Sequence, residues 1–110
     1  MIFGDSANNQ ELAVMAKHSA FELEVLGYVA DDHESPHTIA EDIARELKRP
    51  IAETEVLAAL LALAKSGLVQ AYAYDQDGRR YRPISANAAR KEHEPWFMAT
   101  AEGIARIHAS

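Results

Sequence analysis

The stretch "AETEVLAALLALAKSGLVQAYAYDQDGRRYRP", residues 52–83, changes its periodicity once, at Gly67. Before that glycine, Val56, Leu57, Leu60, Leu61, Leu63 and Ala64 recur at helical spacing, which predicts a helix from about Ala52 or Glu53 to Ser66. Gly67 suits a left-handed helix end, and Lys65 suits the negative end of the helix dipole. After it, "LVQAYAY" alternates β-branched and aromatic residues with smaller ones, "DQDG" reads as a turn, and "RRYRPI" can return as a second strand.

Working outward, Thr38 precedes "IAEDIARELK" with Glu41 three residues on, a capping-box pattern for another helix. Ile39, Ile43 and Leu47 are expected to face the core, and Pro50 to stop the helix near Lys48 or Arg49. Pro36, in the polar "DDHESPH", is expected to help end the order before it. Ser19 and Glu22 form a second capping-box pattern inside an apolar segment from about 8 to 30. Either one long helix or two, about 8–17 and 20–30, fits it. Its wide apolar arc, including Leu12, Met15, Leu23 and Leu26 with Val14, Phe21, Val25 and Tyr28, calls for burial on more than one side. Downstream, 85–94 is a polar insertion that reads as short helix or loop, "WFMA" is strand-like, and "TAEGIARIHAS" opens a terminal helix.

Composition narrows the classes. The chain has 110 residues, 48% of them hydrophobic, which suits one domain with one core. Without cysteine, disulfides and thiolate metal or redox sites are excluded. The N-terminus has neither the basic flank nor the apolar run of a secretory signal. The longest apolar run, "VLAALLALA", falls well short of the ~20 residues that span a bilayer, so a cytoplasmic protein with no membrane partner is expected. Net charge is −6, unevenly spread: residues 1–64 carry four basic against twelve acidic side chains, residues 65–110 seven against five. An acidic body repels phosphate at long range, while a local basic patch can still hold it at contact. No nucleophile elbow, phosphate-cradling glycine loop or paired carboxylate site is present, so no enzyme and no cofactor are expected.

Two helices with a tight connection, then "SGLV" and a hairpin with an arginine-rich turn, resemble the winged helix-turn-helix superfamily from about Ser19 to Ala109. "FELEVLGYVADDHESPHTIAEDIAREL", "VLAALLALAKSGLVQAY" and "WFMATAEGIARI", with Thr100, Glu102 and Gly103, are similar to the PadR-like and MarR-like bacterial transcriptional regulators. The resemblance implies a mainly α, α+β domain with a small antiparallel wing. In it 1–18 is an N-terminal helical extension in dimer contact, 38–66 the helix-turn-helix, and 68–99 the wing. One departure stands out: about a dozen residues separate "RRYRPI" from "WFMA". Either "RRYRPI" is loop and "WFMA" pairs with "LVQAYAY", or, as preferred here, three strands form with an insertion at 85–94.

The family likeness implies a cytoplasmic homodimer that binds double-stranded DNA. The helix at 53–66 is poorly equipped to read it. Its outer face, Glu55, Ala58, Ala59, Ala62 and Ser66 with Thr54 and Lys65 at the flanks, has no Arg, Asn or Gln for base edges. The better candidates are Arg79, Arg80 and Arg82 on the wing, where strand alternation sets Arg80 and Arg82 on one face and Arg79 and Tyr81 on the other. Asp75 and Asp77 are near enough to neutralise part of that patch. Lys48, Arg49, Thr54 and Lys65 add candidate backbone contacts. His33 and His37, with Asp31, Asp32 and Glu34, carry metal-ligand chemistry, but a plain polar loop has the same composition, and no metal is expected. The alternative function is a winged helix that binds protein or oligomerises without DNA, which the acidic first half and the alanine face favour.

Overall fold

The computed structural model describes residues 18–109. Their order is α1 (Ala20–Tyr28), α2 (Pro36–Leu47), α3 (Glu53–Lys65), β1 (Val69–Asp75), β2 (Arg80–Ile84), α4 (Ala86–Lys91), β3 (Trp96–Ala99) and α5 (Ala101–Ala109). The architecture is α+β, with five helices and a three-stranded antiparallel sheet among the described residues. Apart from His18, the N-terminal extension expected at 1–18 lies outside the described residues, as do Leu12, Val14 and Met15.

Side-chain caps satisfy the orphan backbone groups at the start of every described helix but α3. Ser19 caps α1 in a full capping box: its hydroxyl accepts from the Glu22 amide at 3.1 Å, and the Glu22 carboxylate accepts from the Ser19 amide at 3.0 Å. Helix α1 therefore starts directly after Ser19. Helix α2 departs from expectation. It starts at Pro36, with Ser35 as its cap, and the Thr38 amide donates to the Ser35 hydroxyl at 3.4 Å. Proline lacks the amide that a first-turn residue would leave unpaired, and its ring fixes the helical φ, so Pro36 initiates order here. Thr38 is already inside the first turn, and Glu41 turns to His37. Leu47 is the other departure, 44% exposed rather than in the core. It occupies the last turn, after which left-handed Lys48 (φ 56°) takes the chain away from α2.

Helix α3 has no side-chain cap at Ala52, but Glu53 and Glu55 sit in its first turn, where the dipole favours carboxylates. Its far end is a Schellman motif. Gly67 adopts φ +81°, its amide donates to the Ala64 carbonyl at 3.1 Å, and the Leu68 amide donates to the Leu63 carbonyl at 3.0 Å.

The strand order is β2–β1–β3. Tyr74 pairs with Tyr81 and Ala73 with Arg82 on one side of β1, and Ala71 pairs with Phe97 on the other. Thus "RRYRPI" and "WFMA" both pair with the same strand, and the insertion between them contains α4. Beyond β3, Glu34 bridges Phe97 through two hydrogen bonds of 2.9 Å, tying the loop before α2 to the sheet. The core collects Val25, Leu26 and Val29 of the first helix region, Ile39 and Ile43 of α2, Val56, Leu60 and Leu63 of α3, and Val69, Ala71 and Phe97 of the sheet. Gly103 permits the closing contact, because a Cβ there would overlap the Leu68 backbone carbonyl. Thr100 caps α5, accepting from the Gly103 amide at 3.0 Å while donating to the Gly67 carbonyl at 2.7 Å.

Candidate nucleic-acid interface

The hairpin between β1 and β2 is built by one carboxylate. Asp75 Oδ1 accepts from the Asp77 amide at 3.1 Å and the Gly78 amide at 3.3 Å, which folds residues 76–79 into a tight loop. The left-handed position falls on Arg79 (φ 52°) rather than on Gly78. Arg79 is therefore a turn residue, and strand alternation does not assign it a face. Arg80 and Arg82 do share one, opposite Tyr81, and both are exposed. The Arg80 guanidinium lies 4.0 Å from Asp75 Oδ2, a loose pair across solvent. Arg79 and Arg82 have no ion pair among the described residues.

Cross-strand pairing fixes where this face points. Arg82 sits opposite Ala73 and Ile84 opposite Ala71, so the arginines lie on the side of the sheet that covers the core. Helix α4 lies on that side too: it packs on β1 and α3, and its Ala89 is fully buried in the core cluster. Its exposed Arg90 and Lys91 are thus carried on a helix packed on the same side of the sheet as Arg80 and Arg82. Of the two alternatives for 85–94, short helix or loop, the structure has a short helix at Ala86–Lys91, capped by Ser85.

The alanine face of α3 is only partly as expected: Ala59 is buried in the core cluster, while Glu55 and Ala58 are exposed. Past α4, Glu92, His93 and Pro95 run beside Glu53, Thr54 and Leu57, with Pro36, around a cavity of about 200 Å³. The first turn of α3 therefore faces an acidic strip of the same chain. From α2, His37 lies 3.5 Å from Glu53 of that turn and 3.6 Å from Glu41 of its own helix.

The other candidates are scattered. Lys48 and Arg49 lie at the end of α2, where the Arg49 guanidinium donates to the Pro50 carbonyl at 3.5 Å. Thr54 lines the cavity just described, while Lys65 is at the opposite end of α3, roughly 16 Å away along the axis. His33 and His37 go to different places. His37 joins the two glutamates, whereas His33 stacks on Tyr81 with centroids 3.8 Å apart and meets the edge of Tyr72 at 4.6 Å. Among the described residues, no group of three metal-ligating side chains is gathered.

That histidine belongs to an aromatic cluster on the sheet's outer face, with Tyr72, Tyr74, Tyr81 and Trp96. The face is electronegative. Burial pushes the Tyr81 hydroxyl above its ordinary range, and the charges of Asp32 and Glu34 add to the effect. The β1–β2 hairpin thus has two faces of different character, separated by the alternation of a strand.

Comparison with protein-family models, with curated proteins and with solved structures found no match to this chain. No helix among the described residues is long and apolar enough to cross a membrane.

Proposed function

We propose that this is a winged helix-turn-helix protein of the transcriptional-regulator type, which holds duplex DNA by its phosphates through the wing and the insertion helix rather than reading bases with α3. The observation that carries the reading is the exposed cationic side formed by Arg80 and Arg82 of β2 with Arg90 and Lys91 of α4, with Arg79 at the hairpin turn. The order of α2, a short connection, α3 and a hairpin, with Glu34 bridged to the last strand, agrees with a winged helix. Arginine is suited to phosphate because its planar fork donates two parallel hydrogen bonds. The covered Ala59 and the acidic surroundings of Glu53 leave α3 little to offer a major groove.

The deciding experiment is fluorescence anisotropy of a labelled generic duplex titrated across a salt series. Binding at about 10⁻⁴–10⁻⁶ M that weakens steeply with salt is expected. In Arg80→Ala/Arg82→Ala, affinity should fall alike on all sequences, and the slope of log K against log salt should flatten by about 2. Unchanged affinity in that variant refutes the wing assignment.

Homodimerisation is part of the proposal. Leu23 and Ile107, with Ala20 and Gly27, line an open apolar recess of about 400 Å³ on the α1–α5 side. Sedimentation equilibrium tests it, and a monomer at micromolar concentration rules it out.

A second reading has its own support. The carboxylates of Glu53 and Glu92 around the start of α3 favour a winged helix that binds protein without DNA. Folded protein that ignores the duplex at low salt would select it.

A further inference from the structure

The outer face of the sheet holds a site that DNA binding does not use. Strand β1 runs past the start of β3: Tyr72 pairs with Trp96, and residues beyond Tyr72 have a partner only in β2. The segment entering β3 crosses beside this free edge and leaves a notch of about 500 Å³. Its walls are Tyr74, Gln76, Glu92, His93, Glu94 and Trp96. Tyr74 is 41% exposed, unusual for a large ring in this chain, and Tyr81 supports both rings by meeting Tyr74 at 5.1 Å and Trp96 at 5.5 Å.

The chemistry of these walls is selective. Tyr74 and Trp96 supply two aromatic rings to the walls, and the face of such a ring attracts a cation, that of tryptophan most strongly. Two carboxylates add formal charge, and among the described residues neither has an ion-pair or hydrogen-bonded side-chain partner. No lysine or arginine lines the notch. An anion would meet Glu92 and Glu94, and a neutral apolar group would strand them. An organic cation satisfies both kinds of wall at once.

We propose that the notch between Tyr74, Trp96, Glu92 and Glu94 binds an organic cation, an ammonium or guanidinium head group. Such a group comes from a free small molecule or from a lysine or arginine side chain of a partner. The site does not depend on DNA binding, because the wing arginines lie on the opposite face of the sheet.

The test uses the full chain and its single tryptophan, Trp96, as a built-in reporter. Its fluorescence is followed during titration with choline and with N-acetylarginine amide, each at constant ionic strength. The neutral counterparts are 3,3-dimethylbutanol and N-acetylcitrulline amide. A saturable change with at least one cation, and at least about fivefold weaker response to its neutral counterpart, is expected. In Glu92→Gln/Glu94→Gln the cation's affinity should drop about five- to tenfold, as two exposed charge interactions allow. Both glutamates are solvent-exposed, so an unchanged unfolding midpoint confirms that the variant is folded. Saturation by choline alone assigns a free quaternary ammonium ligand. Saturation by the arginine derivative, with or without choline, assigns a side-chain head group. Three results would each overturn the proposal: no saturable response to either cation, neutral counterparts binding as well as the cations, or full affinity in the double variant.

Discussion

Gly103 is fixed by a single missing atom. A β-carbon at that position would overlap the Leu68 carbonyl oxygen and crowd Leu26, and the carbonyl belongs to backbone that cannot swing away. Gly103→Ala should therefore destabilise the fold by about 3 kcal/mol, the upper end of overpacking costs, despite alanine's better helix propensity. Urea unfolding measures it, with an unchanged m-value expected. Tyr28 is a second decisive residue. Its hydroxyl donates to the Glu46 carboxylate, and its pKa is pushed up from 10.0 to about 12. The causes are that hydrogen bond first, then burial, then the charges of Glu46, Glu24 and Asp42. Because the folded state prefers the protonated phenol, the stability this link contributes is present below about pH 10 and lost as pH climbs toward 12. In Glu46→Gln one tyrosine's phenolate absorbance should appear at distinctly lower pH than in the wild type. Superimposable titration curves would dismiss the Tyr28–Glu46 link.

Among the elements, α2 shows how two equally plausible caps are told apart. Thr38 with Glu41 has the capping-box spelling, yet Ser35 performs the capping because Pro36 behind it is preorganised for a first turn. Ser35 is also 3% exposed, which spares its hydrogen bonds from competition with water. Ser35→Ala should cost about 1 kcal/mol, whereas Thr38→Ala should cost a few tenths at most. Thermal unfolding of the two single variants separates the assignments, and the reverse order would restore Thr38 as the cap. Helix α4 carries the complementary lesson. At six residues it could not persist alone, and it exists because Ala89 is buried against α3 and β1 while Ser85 caps its start, accepting from the Ala88 amide at 3.1 Å.

For the whole molecule, charge geometry outweighs net charge. The protein carries −6 overall, yet strand alternation and the placement of α4 gather Arg80, Arg82, Arg90 and Lys91 on one side of the sheet. If α4 shares the DNA contact, Arg90→Ala/Lys91→Ala should flatten the salt dependence by about as much as the wing double variant, near 2 in the log–log slope. Combining the four substitutions should flatten it by about twice that, since the contacts are separate phosphates. A normal slope in the α4 variant would confine the interface to the wing.

Local chemistry was sufficient for the elements. Gly67 after the apolar run and the alternation in "LVQAYAY" specify their cap and strand through contacts within a few residues, so the sequence alone placed α3 and β1, while for α1 it left one long helix and two shorter ones open. The candidate arginines could also be picked out, because "DGRRYR" clusters them locally. What neighbours the arginines was decided only in three dimensions. That Arg90 and Lys91 would be carried on a helix packed on the same side of the sheet as Arg82, and that Glu92 and Glu94 would line one notch with Tyr74 and Trp96, both depend on where a short, weakly patterned insertion docks. Periodicity reports which face of an element is apolar. It does not say which distant segment will bury that face, because docking is settled by shape and small side chains over long sequence separation.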